Sequence, residues 1–289
     1  MAVIGIKDLS HIYSAGTPFE KAALDHVDLS IEEGEFVGVI GHTGSGKSTL
    51  IQHLNGLLKP TSGAVFIDGQ NIWNEKKQMR RLRFNVGLVF QYPEYQLFEE
   101  AVYKDIAFGP KNMGLSDEEI DRRVRDAARF TGVSDEMLEK SPFELSGGQK
   151  RRVAIAGVIA MDPKVLILDE PTAGLDPKGR DQILGRIKEY HKEKKNTILL
   201  VSHSMEDVAK YATKVLVMNK AKVFTYGTVE EVFSKSDTIS HMGLSIPQIS
   251  KVFHALSDNG YAVERNVYTV EQAKQEILNR LLKGKHEHA

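Results

Sequence analysis

A glycine-rich run, Gly41-His42-Thr43-Gly44-Ser45-Gly46-Lys47-Ser48, has the residue types and spacing that hold a polyphosphate. Glycines let successive backbone N–H groups curl into an anion-binding concavity, and a helix that begins there adds its positive dipole end. Lys47 supplies a full charge to the terminal phosphates, and the Ser48 hydroxyl is suited to bind Mg²⁺. The alternative is a glycine-rich turn that binds nothing. The apolar stretch before the run and the helix-forming stretch after it favour the phosphate-binding loop.

A pair of carboxylates, Asp169 and Glu170, ends the apolar run Val165 to Leu168. Two adjacent acids at the end of a buried strand are costly unless a metal or a reaction uses them. Asp169 is expected to hold Mg²⁺ through a water, and Glu170 to polarise an attacking water as general base. The alternative is a strand exit with two solvated acids, which the phosphate-binding loop elsewhere in the chain makes the weaker interpretation.

A third run, Leu145-Ser146-Gly147-Gly148-Gln149, precedes an amphipathic stretch. Its serine and glycines are typical of an ordinary helix N-cap. They are equally typical of a second anion-binding helix start. The run by itself leaves both interpretations open.

The elements that must position these residues alternate between apolar strands and helices, which predicts an α/β fold. Continuous apolar runs predict buried strands of a parallel sheet at Phe36 to Ile40, Val86 to Gln91, from Lys164 and from Thr197. Helices are expected over about Lys47 to Leu57 and Lys178 to Lys194. Around this phosphate-loop core we predict an antiparallel β subdomain near the N-terminus, a helical insert of about residues 92–145, and a hairpin in KVLVMNKAKVFTYG. The chain then divides into residues 1–233 and a small α-rich C-terminal extension, 234–289.

The composition narrows the class of protein. The 289 residues carry a formal net charge of −1, so contact with nucleic acid would need a local basic patch. Cysteine is absent, which excludes disulfides and thiolate metal sites. We find neither a signal-peptide pattern at the N-terminus nor a run of about 18 apolar residues, so any work at a membrane would use a partner.

Taken together, the motifs resemble the nucleotide-binding domains of ABC proteins over about Val3 to Phe233. The resemblance rests on the order and spacing of GHTGSGKST, Gln91, LSGGQ, LILDE, AGLD at Ala173 to Asp176, and His203. It implies ATP and Mg²⁺ as ligands and ATP hydrolysis as the reaction.

The resemblance also assigns roles residue by residue. The implied ATP-binding residues are Tyr13, Gly41, His42, Thr43, Gly44, Ser45, Gly46, Lys47, Ser48 and Thr49, with Tyr13 stacking on adenine and His42 at a variable position without a role of its own. The implied catalytic residues are Glu170, His203 and Gln91, and the implied metal ligands are Ser48, Gln91 and Asp169. Alternatively, Tyr13 is a core aromatic and His203 a structural histidine.

Two further roles concern a second subunit. The resemblance implies that Leu145, Ser146, Gly147, Gly148 and Gln149 close over the ATP of a head-to-tail partner, and that Asp176 communicates across that dimer. ATP then joins the subunits, and its cleavage releases them. Relatives that act on DNA insert a long coiled coil, and relatives that act on ribosomes carry two such domains. This chain has neither feature, so no nucleic acid partner is expected.

The segments Phe90 to Phe98 and Val102 to Pro110 are similar to those of the ATPases of energy-coupling factor transporters and cobalt or nickel importers. There this region forms a groove, the coupling groove, for a helix of the membrane scaffold. Tyr95, Leu97 and Phe98 are our candidates to line it, although ordinary subdomain packing is the alternative for each.

The segment DEPTAGLDP and the C-terminal segment MGLSIPQISKVFHALSDNGY resemble the second ATPase of energy-coupling factor importers. In these importers two different ATPases form one motor that several vitamin-binding membrane subunits share. This implies a non-identical second ATPase, a transmembrane scaffold subunit and a substrate-binding membrane subunit, with the chain peripheral on the cytoplasmic face of the membrane. The expected function is to power uptake of vitamins or other micronutrients. A dedicated cobalt or nickel importer, a soluble ABC ATPase acting on nucleic acid or ribosomes, and a non-enzymatic nucleotide sensor are the alternatives. Ile249, Val252, Phe253 and Leu256 form a predicted apolar face that either joins the two ATPases or packs onto its own domain.

Overall fold

The computed structural model describes residues 2–74 and 79–286, with the side chains of 237 and 281–286 left out. The strands are β1 (Ala2–Tyr13), β2 (Lys21–Glu32), β3 (Phe36–Gly41), β4 (Ser62–Ile67), β5 (Gln70–Asn71), β6 (Val86–Val89), β7 (Val165–Asp169), β8 (Thr197–Val201), β9 (Lys214–Asn219) and β10 (Lys222–Thr228). The helices are α1 (Lys47–Leu54), α2 (Met79–Asn85), α3 (Val102–Met113), α4 (Asp117–Thr131), α5 (Asp135–Leu138), α6 (Gly147–Ile159), α7 (Pro177–Lys194), α8 (Met205–Tyr211), α9 (Val229–Phe233), α10 (Ser236–His241), α11 (Gln248–Asp258) and α12 (Val270–His286). The α/β fold is thus confirmed.

The central sheet has the order β10-β9-β3-β8-β7-β6 over the described residues. From β9 to β6, adjacent strands of this sheet pair in parallel. Strand β10 pairs antiparallel with β9 and forms the predicted hairpin. The four predicted apolar strands are all in it and are buried, as strands covered on both faces must be. Because β3, β6, β7 and β8 run in one direction, the residues that follow them meet at one edge of the sheet.

A second, antiparallel sheet has the order β2-β1-β4-β5 among the residues described. Its strands β1 and β2 are the predicted N-terminal pair, and their register sets Tyr13 opposite Lys21. Side chains of this sheet share one apolar core with β3, α1, β7 and β8. That shared core fixes the N-terminal sheet beside the phosphate-binding loop.

The predicted first helix is too long at its C-terminal end. Helix α1 ends at Leu54 and not near Leu57, because Gly56 adopts φ 67° and takes the chain out of helical geometry. The prediction of the helical insert agrees better with the structure. On α4 the apolar residues Ile120, Val124, Ala127 and Phe130 recur at helical spacing and are buried.

The C-terminal segment packs partly onto the core of the same chain. Ile239, Leu244 and Ile246 join a cluster with Ile40 and Val217 of the central sheet. No helix in the described parts of the chain has both the length and the apolar content to cross a membrane.

The predicted apolar face of α11 is divided. Phe253 is buried against Val267 and Ala273, with Ile249 partly buried beside them, whereas Val252 is 51% exposed. The extension therefore has its own small core.

Candidate active site

The phosphate-binding loop connects β3 to α1, as its sequence predicts. Gly46, the residue before the helix, has φ 105°, and a Cβ there would lie 2.4 Å from the carbonyl oxygen of Ala23. Both the backbone angle and the close approach of β2 require glycine. The loop is therefore shaped by contact with the N-terminal sheet as well as by its own sequence.

Lys47 is held inside the curl of this loop. Its side chain is buried, and Nζ donates to the carbonyl oxygens of Gly41 at 2.6 Å and His42 at 2.9 Å. Burial lowers the pKa of Lys47, and the nearby charges of Glu170 and Asp169 act in the opposite direction. The ammonium is thus a positioned positive charge at the floor of the loop.

Asp169 and Glu170 stand at the end of β7. Burial, followed by repulsion from Glu170, raises the pKa of Asp169 to about 6, while Lys47 opposes that rise. Glu170 leaves the strand with φ 49°, in the left-handed region, and its N–H donates to the carbonyl oxygen of Val201 at 3.0 Å. Such backbone conformations cost about 1–3 kcal/mol and concentrate at functional sites.

The Glu170 carboxylate joins the other two predicted catalytic residues. Gln91 Nε2 donates to Glu170 Oε2 at 3.2 Å, and His203 Nε2 lies 2.8 Å from Glu170 Oε1. These residues come from the ends of β6, β7 and β8. The structure therefore brings the three together at one edge of the sheet.

A cleft of about 390 Å³ opens over the loop and the acid. Its lining residues are Tyr13, Lys21, Ala23, Thr43, Gly44, Gly46, Lys47, Ser48, Thr49, Gln91, Glu170 and His203. Lys21 and Ala23 were not predicted from the sequence. The β1–β2 register, which sets Lys21 opposite Tyr13, is the signal that identifies them.

Tyr13 forms one wall of this cleft. Its hydroxyl lies 3.3 Å from Thr49 Oγ1, and its ring packs edge-on against His11, with centroids 4.6 Å apart. The side chain remains 39% exposed. Tyr13 is thus not a core aromatic, and its role with adenine stays a prediction.

His42 points elsewhere. Its Nε2 contacts the carbonyl oxygen of Met242 in the C-terminal segment, and the side chain does not line the cleft. The prediction that it has no role of its own in nucleotide binding agrees with this position. The contact links the phosphate-binding loop to the extension.

The third run forms a helix start on the surface. Ser146 caps α6 by accepting from Gln149 N–H at 3.4 Å, and Gln149 Oε1 accepts from Ser146 N–H at 2.8 Å. A Cβ at Gly147 or Gly148 would meet nothing within 4 Å. Leu145 is buried and anchors the run. The N-cap interpretation is confirmed, and the exposed helix start leaves room for a partner.

Asp176 likewise caps a helix, because its Oδ1 accepts from Gly179 N–H at 2.9 Å at the start of α7. It does not line the cleft. Its exposed position is compatible with the predicted place at a subunit interface.

An apolar groove of about 280 Å³ lies between the segment after β6 and helices α3 and α6. Leu97 and Phe98 line it, and the Phe98 ring packs edge-on against Phe108 at 5.0 Å between centroids. Tyr95 does not line it and is 85% exposed. Two of the three residues predicted for the coupling groove thus share one surface.

The site suits a magnesium ion that arrives with a phosphate ligand. Ser48 lines the cleft, and Asp169, which does not line it, ends β7 directly before the cleft residue Glu170. Among the side chains that the structure describes, no group of three or more histidine or acidic residues is placed to hold a metal by itself. Mg²⁺ is commonly held by one or two protein oxygens together with substrate phosphates.

The chain is similar to known proteins over most of its length. Residues 24–173 match the family model of the ABC transporter. The chain is 60% identical to the energy-coupling factor transporter ATP-binding protein EcfA2 of Clostridium tetani over 276 residues, covering 95% of this chain and 96% of that one. It is 58% identical to EcfA2 of Clostridium acetobutylicum over 283 residues, covering 98% and 99%.

Solved structures give the same fold. CbiO1 of Clostridium perfringens, described as part of the ABC transporter complex cbiONQ, matches with a TM-score of 0.75 and 41% identity, covering 88% of this chain and 99% of that one. A dimeric ATP-binding cassette in a post-hydrolysis state with ADP and phosphate matches with a TM-score of 0.70 and 28% identity, covering 78% and 98%.

The fold and the cleft define an ATP-binding cassette, and this chain belongs to the ABC transporter family. Within that family it belongs to the ATP-binding proteins of energy-coupling factor transporters.

Proposed function

We propose that this chain is the ATP-binding and ATP-hydrolysing motor subunit of an energy-coupling factor importer for vitamins or other micronutrients. The observation that carries the proposal is the meeting of Gln91, Glu170 and His203 at the mouth of a phosphate-binding loop. The full-length similarity to EcfA2 proteins supports the transporter class.

ATP binding starts at the loop. The curled backbone amides and Lys47 compensate the charge of the phosphates, and Tyr13 offers a flat face to the adenine at the cleft wall. Ser48, Asp169 and Gln91 are the residues that would hold Mg²⁺. The bound ion would neutralise charge on the phosphate oxygens.

Hydrolysis then depends on the Glu170 carboxylate. Glu170 accepts a proton from the attacking water, which makes the water a better nucleophile toward the γ-phosphorus. Gln91 and His203 contact the two oxygens of this carboxylate and orient it. Most of the rate gain comes from positioning and charge compensation, as in other phosphoryl transfers.

A second subunit completes the site. Ser146, Gly147 and Gly148 are accessible at the start of α6 and would contact the γ-phosphate of ATP bound to the partner. Asp176 lies at the start of α7 and would face the same interface. We expect the partner to be a non-identical ATPase, and the extension 234–289 to help hold the pair together.

Membrane subunits provide the transport path. The coupling groove at Leu97 and Phe98 offers an apolar slot for a helix of a transmembrane scaffold, which would hold the chain at the cytoplasmic face of the membrane. A separate membrane subunit would bind the transported solute. The second candidate is a dedicated cobalt or nickel importer with a single ATPase type, and the likeness to CbiO1 of the ABC transporter complex cbiONQ supports an ABC transporter ATPase in either case.

Purification of the tagged full-length chain from detergent-solubilised membranes tests the proposal. We expect a second ATPase and hydrophobic subunits to co-purify, and the complex to release phosphate from ATP with Mg²⁺. Recovery with RNA or DNA in place of membrane proteins, or nucleotide binding without phosphate release, would overturn it. Transport of the cobalt ion by a single ATPase type would support the second candidate.

A further inference from the structure

Arg151 is a buried cation in the second turn of α6, 3% exposed. Its guanidinium donates from Nε to Glu94 Oε2 at 3.0 Å and from Nη2 to Glu94 Oε1 at 2.7 Å. It also donates from Nη1 to the carbonyl oxygens of Ala173 at 2.5 Å and Pro171 at 3.4 Å. A bidentate pair with two further carbonyl bonds uses the planar fork of arginine, which lysine cannot reproduce.

These four bonds join three segments that carry the nucleotide chemistry. Glu94 lies in a short 3₁₀ helix, Pro93–Gln96, that begins two residues after Gln91. Pro171 and Ala173 are the first and third residues after Glu170. Arg151 itself belongs to α6, whose N-cap is Ser146. One guanidinium therefore joins α6 to the segments that follow Gln91 and Glu170.

The connection from Glu94 back to Gln91 is short and stiff. Pro93 has a restricted φ, and Tyr92 occupies the left-handed region with φ 55°. The Tyr92 ring centroid lies 5.9 Å from Arg151, within reach of a cation–π contact. On the other side, Ala173 N–H donates to the carbonyl oxygen of Glu170 at 3.1 Å. Displacement of Glu94 or of the turn after Glu170 is therefore transmitted to the reacting groups.

We propose that Arg151 is a positioning residue for hydrolysis: it sets the spacing between Gln91 and Glu170 by clamping the segments that follow them. The inference rests on the proposed function, because it concerns the same carboxylate. Arg151 does not line the cleft, so its removal is expected to lower kcat and to leave ATP binding nearly intact. Groups that orient catalytic residues typically change activity by about 10–100-fold.

The test compares Arg151→Lys, Glu94→Gln and Arg151→Met in the full-length chain, assembled with the subunits that co-purify with it. We expect kcat to fall about 10-fold in the first two and about 100-fold in the third, with KM for ATP changed less than about threefold. Because the pair acts as one unit, Glu94→Gln combined with Arg151→Lys should be no slower than the slower single variant. If Arg151→Met does not fold, the other variants decide.

Arg129→Lys is the matched control. Arg129 makes a comparable two-bond pair with Glu193, at 3.2 and 2.8 Å, between the exposed surfaces of α4 and α7. The Arg129→Lys protein should have the kcat and KM of the wild type. Folded Arg151→Lys and Glu94→Gln proteins with kcat within about twofold of wild type would overturn the inference, as would a rise in KM at constant kcat. A wild-type complex without ATP turnover would instead overturn the proposed function.

Discussion

Glu170 Oε1 lies 2.8 Å from His203 Nε2, which places a carboxylate of one strand end against a histidine of the next. The register of β7 and β8 explains this contact, because Asp169 pairs with Val201 and the Glu170 N–H donates to the Val201 carbonyl oxygen at 3.0 Å. The acid is thus fixed by backbone pairing, and His203 follows two residues after the same strand. The sheet itself sets the distance between the two side chains.

Glu170→Gln keeps the size of the side chain and removes the base. We expect kcat to fall by about 10²–10⁴-fold, the usual contribution of a general base, with ATP affinity changed less than about threefold. Phosphate release and calorimetric ATP binding measure the two effects. Glu189→Gln, at an exposed position on α7, is the control. Near-normal turnover of Glu170→Gln would contradict the base assignment.

Tyr13→Ala tests the wall of the cleft. Removal of the ring should weaken ATP binding by about 5–150-fold, because base stacking on an aromatic contributes about 1–3 kcal/mol. Tyr13→Phe keeps the ring and loses only the hydroxyl contact with Thr49, so it should bind ATP within about threefold of wild type. Equal affinities of Tyr13→Ala and wild type for ATP, measured by calorimetry, would exclude stacking.

The parts of the site whose residues are contiguous in sequence could be predicted from the sequence alone. The phosphate-binding loop and the pair Asp169-Glu170 each follow an apolar strand that the residues themselves specify. The parallel sheet then determines that they meet, since strands running the same way end at the same edge. The contacts of Glu170 with Gln91 and His203 follow from that arrangement.

Long-range pairing could not be predicted from local pattern. Lys21 enters the cleft only through the β1–β2 register, and His42 contacts Met242 near the other end of the chain. Tyr95 has the same apolar character as its groove-lining neighbours, yet it points into solvent because the 3₁₀ turn directs its side chain outward. Such outcomes depend on side-chain direction and tertiary contacts, which composition and spacing do not specify.

Gly46→Ala should disrupt the loop. The new Cβ would lie 2.4 Å from the Ala23 carbonyl oxygen at φ 105°, so the backbone must move, at a cost of about 1–3 kcal/mol in unfolding free energy. ATP affinity should fall at least about 10-fold, because the backbone N–H groups of the loop then no longer converge on the phosphates. The control is Gly69→Ala, with φ 74° and open space around the added methyl, which should lose stability and retain ATP affinity. Normal ATP binding by Gly46→Ala in calorimetry would contradict the account.

The ionisation of Asp169 gives the nucleotide-free chain a defined pH dependence. Its pKa of about 6 lies above the ordinary value of 3.8, so the folded state binds this proton more tightly than the unfolded state. The folded state therefore gains stability from Asp169 below pH 3.8 and loses that gain as the pH rises through 6. The contribution of Asp169 to the unfolding free energy is therefore about 3 kcal/mol smaller above pH 6 than below pH 3.8.

Asp169→Asn removes this titration and should stabilise the nucleotide-free chain at pH 7.5 by about 1–3 kcal/mol, with an advantage that shrinks toward pH 4.5. Thermal unfolding at the two pH values measures the change. Asp181→Asn has the opposite expectation, since a hydrogen bond from Lys210 lowers the pKa of Asp181 and its loss should not stabilise the chain. The same Asp169→Asn protein should hydrolyse ATP poorly, because it lacks the carboxylate beside the phosphate site. If Asp169→Asn were stabilised equally at both pH values, the stabilisation would come from side-chain packing and not from loss of the carboxylate charge, which would contradict the prediction.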